Sequence, residues 1–276
     1  MQPNELEQRI AAFSRWQYRF EFDGGISTPV ANRGVVKRHE QRRRYFFDAL
    51  VGLSGGSLAG KRVLDLGCNA GFWSLHAIEA GADFVLGVDG EQTYLDQANL
   101  VFEAKGIDSA SFRFEQGNIF EQDFDERFDI VLCLGLMEHI SKPLELFEII
   151  AGVGADTVVI DTTLSHARSS FFEVASVQDP ASAVDYPFVL VPTREAVVEL
   201  AEQFGFEAVP LGHDFDDYHG LIDYEQESRL AFICGKDPAS LAALPRARPP
   251  GPLPWWAATA ARKGRDKLER RLKGRS

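Results

Sequence analysis

A chain of 276 residues, 45% of them hydrophobic and 25% charged, has the make-up of a water-soluble globular protein with room for one large core. No apolar run approaches the roughly 18 residues of a membrane span, and the start MQPNELEQRI lacks the basic-then-apolar layout of a signal peptide, so a cytoplasmic protein is expected. The net charge of −12 is unevenly spread: residues 262–276 carry eight Lys or Arg against two acids, a balance of +6 that leaves −18 on the rest. A body of that sign repels polyanions, which excludes bulk nucleic acid as a partner unless cations cluster locally.

Residues 1–60 read as a helical cap. Apolar spacing predicts a helix over 5–20, with Trp16, Tyr18 and Phe20 at its end and Gly24-Gly25 breaking it. A second helix is predicted over 35–53, with Arg38, Arg42, Arg43 and Arg44 on one side and Tyr45, Phe46, Leu50 and Leu53 facing apolar neighbours. Those cations suit an anionic ligand; the alternative is a solvated basic face. Residues 63–66 are a short apolar run, 67–71 a glycine-bracketed turn, 72–80 a helix stopped by Gly81, and 84–88 a second buried-type strand ending at Asp89. This is a βαβ unit, and its ligand belongs at the carboxyl end of the first strand. Gly67 and Gly71 let a backbone approach that ligand, and Asp89 is placed to accept hydrogen bonds from a ribose diol. Asp65 would repel a pyrophosphate and instead suits a cationic ligand with an amino-acid tail.

Helix and strand then alternate: a helix over 91–104, strands over 111–116 and 128–134, a helix over 144–152 and a strand over 157–161. Residues 163–190 are too long for a plain connector and contain Phe171, Phe172, Tyr186 and Phe188, which predicts an insertion that covers a site. A helix over 193–204, capped by Thr193, and a last strand over 229–234 complete a domain spanning 61–236. The loop with His213, Asp214, Asp216, Asp217 and His219 could hold a divalent ion but has no recognisable ligand register, so no metal is expected. The three cysteines, Cys68, Cys133 and Cys234, are spaced too widely for a zinc motif and read as buried free thiols. Residues 237–276 form a Pro/Ala linker with Trp255 and Trp256, then a basic tail; the tryptophans are expected to pack on the body, the alternative being weak contact with an anionic membrane surface.

The stretch D-L-G-C-N-A-G from Asp65 closely resembles the first motif of class I S-adenosylmethionine-dependent methyltransferases, and the resemblance runs from about residue 61 to 234. It implies an α/β, Rossmann-like, seven-stranded and mostly parallel sheet flanked by helices. It also implies S-adenosylmethionine as cofactor, held by Asp65, Gly67, Asn69, Gly71, Asp89 and Leu134. Asn118 would hydrogen-bond the adenine and Ile119 would cover its face. The segment DIVLCLGLMEHISKP resembles the family's fourth motif, in which a histidine at the place of His139 occurs in many members acting on hydroxyls. A hydroxyl nucleophile needs a base as the methyl bond forms; His139 is expected to be that base, with His166 and Asp161 as substitutes. Leu134-Gly135-Leu136-Met137 stands where amide-nitrogen methylation expects an N-P-P-Y-type tetrapeptide, which lowers base-directed DNA chemistry. The later stretches loosely resemble a group that includes tRNA wobble-uridine modification enzymes and actinobacterial sugar or small-molecule O-methyltransferases. The expected acceptor is a small hydroxylated molecule, best a mannoside or oligosaccharide of a methylated polysaccharide. The alternatives are a tRNA wobble uridine, or a module that binds the cofactor and transfers nothing.

Overall fold

The structure is a computed structural model and describes residues 1–176 and 188–248. Helix α1 (Pro3–Ala11) stops well before Phe20, which corrects the helix expected over 5–20. Trp16, Tyr18 and Phe20 are buried while residues 17 and 19 between them are exposed, a period of two that belongs to extended chain. Thr28 braces this segment, its hydroxyl donating to Tyr18 O and accepting from Phe20 N, both at 2.8 Å.

The second cap helix is α2 (Arg33–Arg42), with Asn32 as its N-cap accepting from Val35 N at 3.2 Å. A π-turn over Arg43–Phe47 separates it from α3 (Asp48–Leu53). The wider turn changes the phase of the helix. Arg42 ends up buried, while Arg43 and Arg44 lie outside and pair with Asp48 and Asp216. Arg38 forks onto Asp223. Each of the four arginines is thus engaged by a carboxylate of the chain itself.

The core is built from β1 (Arg62–Leu66), α4 (Phe72–Glu79), β2 (Phe84–Asp89), α5 (Gln92–Ala104), β3 (Phe112–Gln116), β4 (Ile130–Leu134), α6 (Pro143–Gly152) and β5 (Thr157–Thr163). After β5 come β6 (Phe172–Ser176), β7 (Phe188–Pro192), α7 (Arg194–Gln203), β8 (Glu207–Pro210), α8 (Ile222–Glu225) and β9 (Arg229–Gly235). Seven strands form one sheet in the order β3-β2-β1-β4-β5-β9-β8. The first five are parallel, and β9 runs antiparallel to both of its neighbours. This is the expected fold. Because β1 and β4 are adjacent and their connections leave in opposite directions, a crevice opens beyond their carboxyl ends.

The region expected as a covering insertion contains an antiparallel hairpin, β6 with β7, and Leu190 N donates to Ile140 O at 3.3 Å, fastening β7 beside the end of β4. Tyr186 lies outside the described residues, as do Trp255, Trp256 and most of the linker and tail. The three cysteines are buried and free. No helix among the described residues is long and apolar enough to cross a membrane.

Candidate active site

Strand β1 delivers the chain to the loop Gly67–Gly71, and three of its residues take left-handed backbone: Gly67 (φ 71°), Asn69 (φ 49°) and Gly71 (φ 73°). The loop is tied to β2 by Gly67 N and Cys68 N, which donate to Val88 O at 2.8 and 3.1 Å. A Cβ on Gly67 would lie 3.3 Å from Leu136 Cδ1, so the segment following β4 packs directly on the loop. Asp65 is fully buried beneath it and accepts from Ser74 Oγ of α4 at 2.6 Å. Burial pushes its carboxyl up to about 7, against the Ser74 hydrogen bond that favours the ionised form.

Asp89 ends β2 half-exposed. One oxygen accepts from Asn69 N at 2.8 Å and the other from Glu91 N at 3.0 Å, so the carboxylate braces the glycine loop and keeps a lone pair on each oxygen for a ligand. Burial raises its pKa, partly offset by these two N–H donors. Gly117 N donates to Asp89 O at 3.0 Å, which brings Asn118 and Ile119 to the same end of the sheet. The Asn118 side chain is partly engaged, accepting from Phe120 N and donating to Glu121, each at 3.1 Å. Ile119 is buried.

Leu134 closes β4, and a 3-10 turn over Met137–His139 follows. His139 is half-buried, and its ring makes no hydrogen bond to a described residue. His166 is exposed, between β5 and the hairpin. Asp161 is completely buried: Arg42 and Arg229 Nε (3.1 Å) donate to one oxygen and Tyr224 OH (2.7 Å) to the other. Burial alone would raise its pKa, but Arg229 and Arg42 outweigh it and hold the carboxyl below the usual range. A carboxylate so neutralised, with no access to an acceptor, is a counter-ion, which corrects the expectation of Asp161 as a substitute base. The cluster also includes Glu138, whose Oε1 accepts from Arg229 Nη1. Sequence reading placed Glu138 beside His139 and Arg229 at the head of the last strand; their pairing, across 91 positions, left no local signal.

Residues 63–154 match a family model described as a methyltransferase domain. The crystal structure of the N-terminal domain of EvdMO1 in the presence of SAH and D-fucose has the same fold, with a TM-score of 0.65 at 20% identity over 90% of this chain and 98% of that one. The chain contains a methyltransferase domain, and its fold is that of the class I S-adenosylmethionine-dependent enzymes. An S-adenosylmethionine-dependent methyltransferase from Mesorhizobium loti has a TM-score of 0.50 at 16% identity, covering 67% of this methyltransferase and 95% of its own chain. The ubiquinone biosynthesis O-methyltransferase of Acinetobacter baylyi is 28% identical over 169 residues, which are 56% of this chain and 71% of that protein.

The methyltransferase presents a donor set that fits its cofactor. The left-handed loop brings backbone close to the end of β1, Asp65 lies buried beneath it, and Asp89 supplies carboxylate oxygens beside it. A ribose diol would find acceptor lone pairs on Asp89, and a cationic ligand would suit the end of the sheet where that carboxylate lies.

Proposed function

We propose that this methyltransferase acts on a hydroxyl of a small molecule, with a sugar as acceptor and His139 as general base. The observation that supports the reading is the place of His139 in the chain: it follows β4 on the turn whose preceding Leu136 packs against Gly67 of the glycine loop. S-adenosylmethionine supplies a methyl group on a sulfur that is its own leaving group, so the protein has to align the acceptor, exclude water and remove one proton. His139, with an imidazole uncommitted to any described residue, takes the hydroxyl proton as the new bond forms. His166, exposed beside the hairpin, is the substitute base. Hairpin β6–β7 is fastened to Ile140 beside the end of β4; as a cover over the acceptor it would favour small or chain-like molecules.

A sugar acceptor is supported by the fold shared with EvdMO1, whose N-terminal domain was crystallised with D-fucose. A phenolic hydroxyl is the second reading, favoured by the ubiquinone O-methyltransferase relatives. Labelled S-adenosylmethionine offered with D-fucose, methyl mannoside, a mannose oligosaccharide, 3,4-dihydroxybenzoate and total tRNA separates them. Label in a sugar supports the proposal, and label in dihydroxybenzoate alone moves it to phenols. Salt-sensitive labelling of tRNA restores the wobble-uridine alternative. Binding of cofactor with no label in any acceptor leaves the non-catalytic module. With a working acceptor, His139→Ala should lose roughly 10²- to 10⁴-fold in turnover while S-adenosylhomocysteine affinity, read by calorimetry, stays within about threefold. Wild-type turnover in that variant removes His139 from the mechanism.

A further inference from the structure

Four buried or nearly buried charges form an alternating row through this protein: Arg42 of α2, Asp161 of β5, Arg229 of β9 and Glu138 of the turn after β4. Their side chains are 6%, 0%, 8% and 14% exposed, so the row is desolvated along its length. Two positive and two negative groups balance, yet balance is a weak reason for their presence. Buried ion pairs can often be replaced by apolar side chains at no cost in stability. Glu138 makes the stability account worse, because its second oxygen is buried without a hydrogen-bond partner and keeps the cost of its lost hydration.

Geometry gives the row another purpose. Arg229 Nη1 holds Glu138, its Nε holds the Asp161 carboxylate, and its Nη2 donates to the Asp161 carbonyl at 3.2 Å. The same carbonyl accepts from Gly135 N at 2.9 Å. A Cβ on Gly135 would lie 3.3 Å from Arg229 Nη2, so the guanidinium rests on the back of the turn. On the front of that turn, His139 N donates to Leu136 O at 2.8 Å, and Leu136 lies against Gly67. One side chain therefore braces, from behind, the segment that carries the proposed base in front.

We propose that Arg229 is a positioning residue for methyl transfer: shared between Asp161 and Glu138, it fixes the turn at residues 135–139 and so the orientation of His139, while Arg42 ties cap helix α2 to the same anchor. The proposal rests on the reading of His139 as base. A lysine at this position keeps one charge but lacks the fork that reaches both carboxylates.

The test compares Arg229→Lys, Glu138→Gln, the double variant and His139→Ala. Hydrogen–deuterium exchange is read by segment, S-adenosylhomocysteine affinity by calorimetry, and turnover on the acceptor identified above. Positioning predicts that Arg229→Lys and Glu138→Gln exchange at least about tenfold faster over 135–140, with 62–71 unchanged and cofactor affinity within about threefold. It predicts turnover down roughly 10- to 100-fold with little change in acceptor KM, and a double variant no slower than Arg229→Lys alone. A uniform rise in exchange with turnover and cofactor affinity falling together overturns it, as does unaltered exchange over 135–140. Should Arg229→Lys fail to fold, Glu138→Gln carries the same test. If His139→Ala turns over normally while the other two are slow, the choice of base fails and with it the claim on the orientation of His139, while the bracing of the turn at 135–139 stands. If only His139→Ala is slow, the positioning fails alone.

Discussion

Gly87 sits in the middle of β2, opposite Asp65 on β1 and Phe114 on β3. A Cβ there would lie 2.6 Å and 2.7 Å from Cδ1 and Cε1 of Phe114 and 2.9 Å from Cys68 Sγ, distances that no real contact sustains. Replacement by alanine therefore forces a shift of the ring or of the glycine loop. Phe114 is held in turn by Phe102 and Phe112, with ring centroids 4.9 and 5.5 Å away, so it does not swing freely. Overpacking by one methyl typically costs 1–3 kcal/mol, and two simultaneous contacts place Gly87→Ala at about 2–3 kcal/mol. At roughly 2–4 °C per kcal/mol for a domain of this size, the midpoint should fall by about 5–10 °C. Urea unfolding of Gly87→Ala, Phe114→Leu and the pair gives the coupling: with the ring replaced by a flexible side chain, the alanine should cost about 1 kcal/mol or less. If Cys68 moves instead, the cost persists in the Phe114→Leu background and S-adenosylhomocysteine affinity drops, because the loop has been pushed. A Gly87→Ala protein within about 0.5 kcal/mol of wild type would refute the packing argument.

Asp89→Ala removes both the loop brace and a charged acceptor for ribose, so cofactor affinity should fall by roughly 10- to 150-fold in calorimetry, from a charge-assisted bond of about 1.5–3 kcal/mol. Asp89→Asn, which keeps an acceptor oxygen, should lose less, and unchanged affinity in a folded alanine variant would take Asp89 off the ribose. Asp65 is raised to about 7 from an ordinary 3.8, so the native state binds the extra proton between those values. Stability from this group is then full below about 4 and declines as pH rises to about 7, by up to about 4 kcal/mol. Asp65→Asn has no such proton, and its stability relative to wild type should improve from pH 5 to about 7 and level off above that in urea titrations. Parallel curves for the two proteins would show that Asp65 is not buried as an acid.

The cofactor loop was legible because its demands are local: left-handed backbone at Gly67 and Gly71 is written as glycine, and an acid at the end of the second strand stands a fixed distance on. The sheet was legible for the same reason, since each long buried strand is a contiguous apolar run. Local reading failed where period and contact competed. Aromatics at 16, 18 and 20 satisfy a helical count loosely but an extended count strictly, and the four-residue β8 is too short to announce itself. Asp161 shows the deeper limit. Its residue type and position at the end of the fifth strand suggest a base, while its partners lie 119 positions earlier and 68 later, where no spacing rule reaches.

Strand β9 lies between β5 and β8 yet is made after both, and this fixes an order of assembly. During synthesis the first five strands can pair as they emerge, but β8 has no neighbour until residues 229–235 arrive, and β5 keeps an open edge. The same delay leaves Asp161 with Arg42 as its one ion-pair partner among the described residues until Arg229 is delivered by the strand that closes the gap. The nascent chain can thus form a cofactor loop well before it has an acceptor side. The period before β9 pairs is when the exposed edge of β5 is open to pairing with another chain.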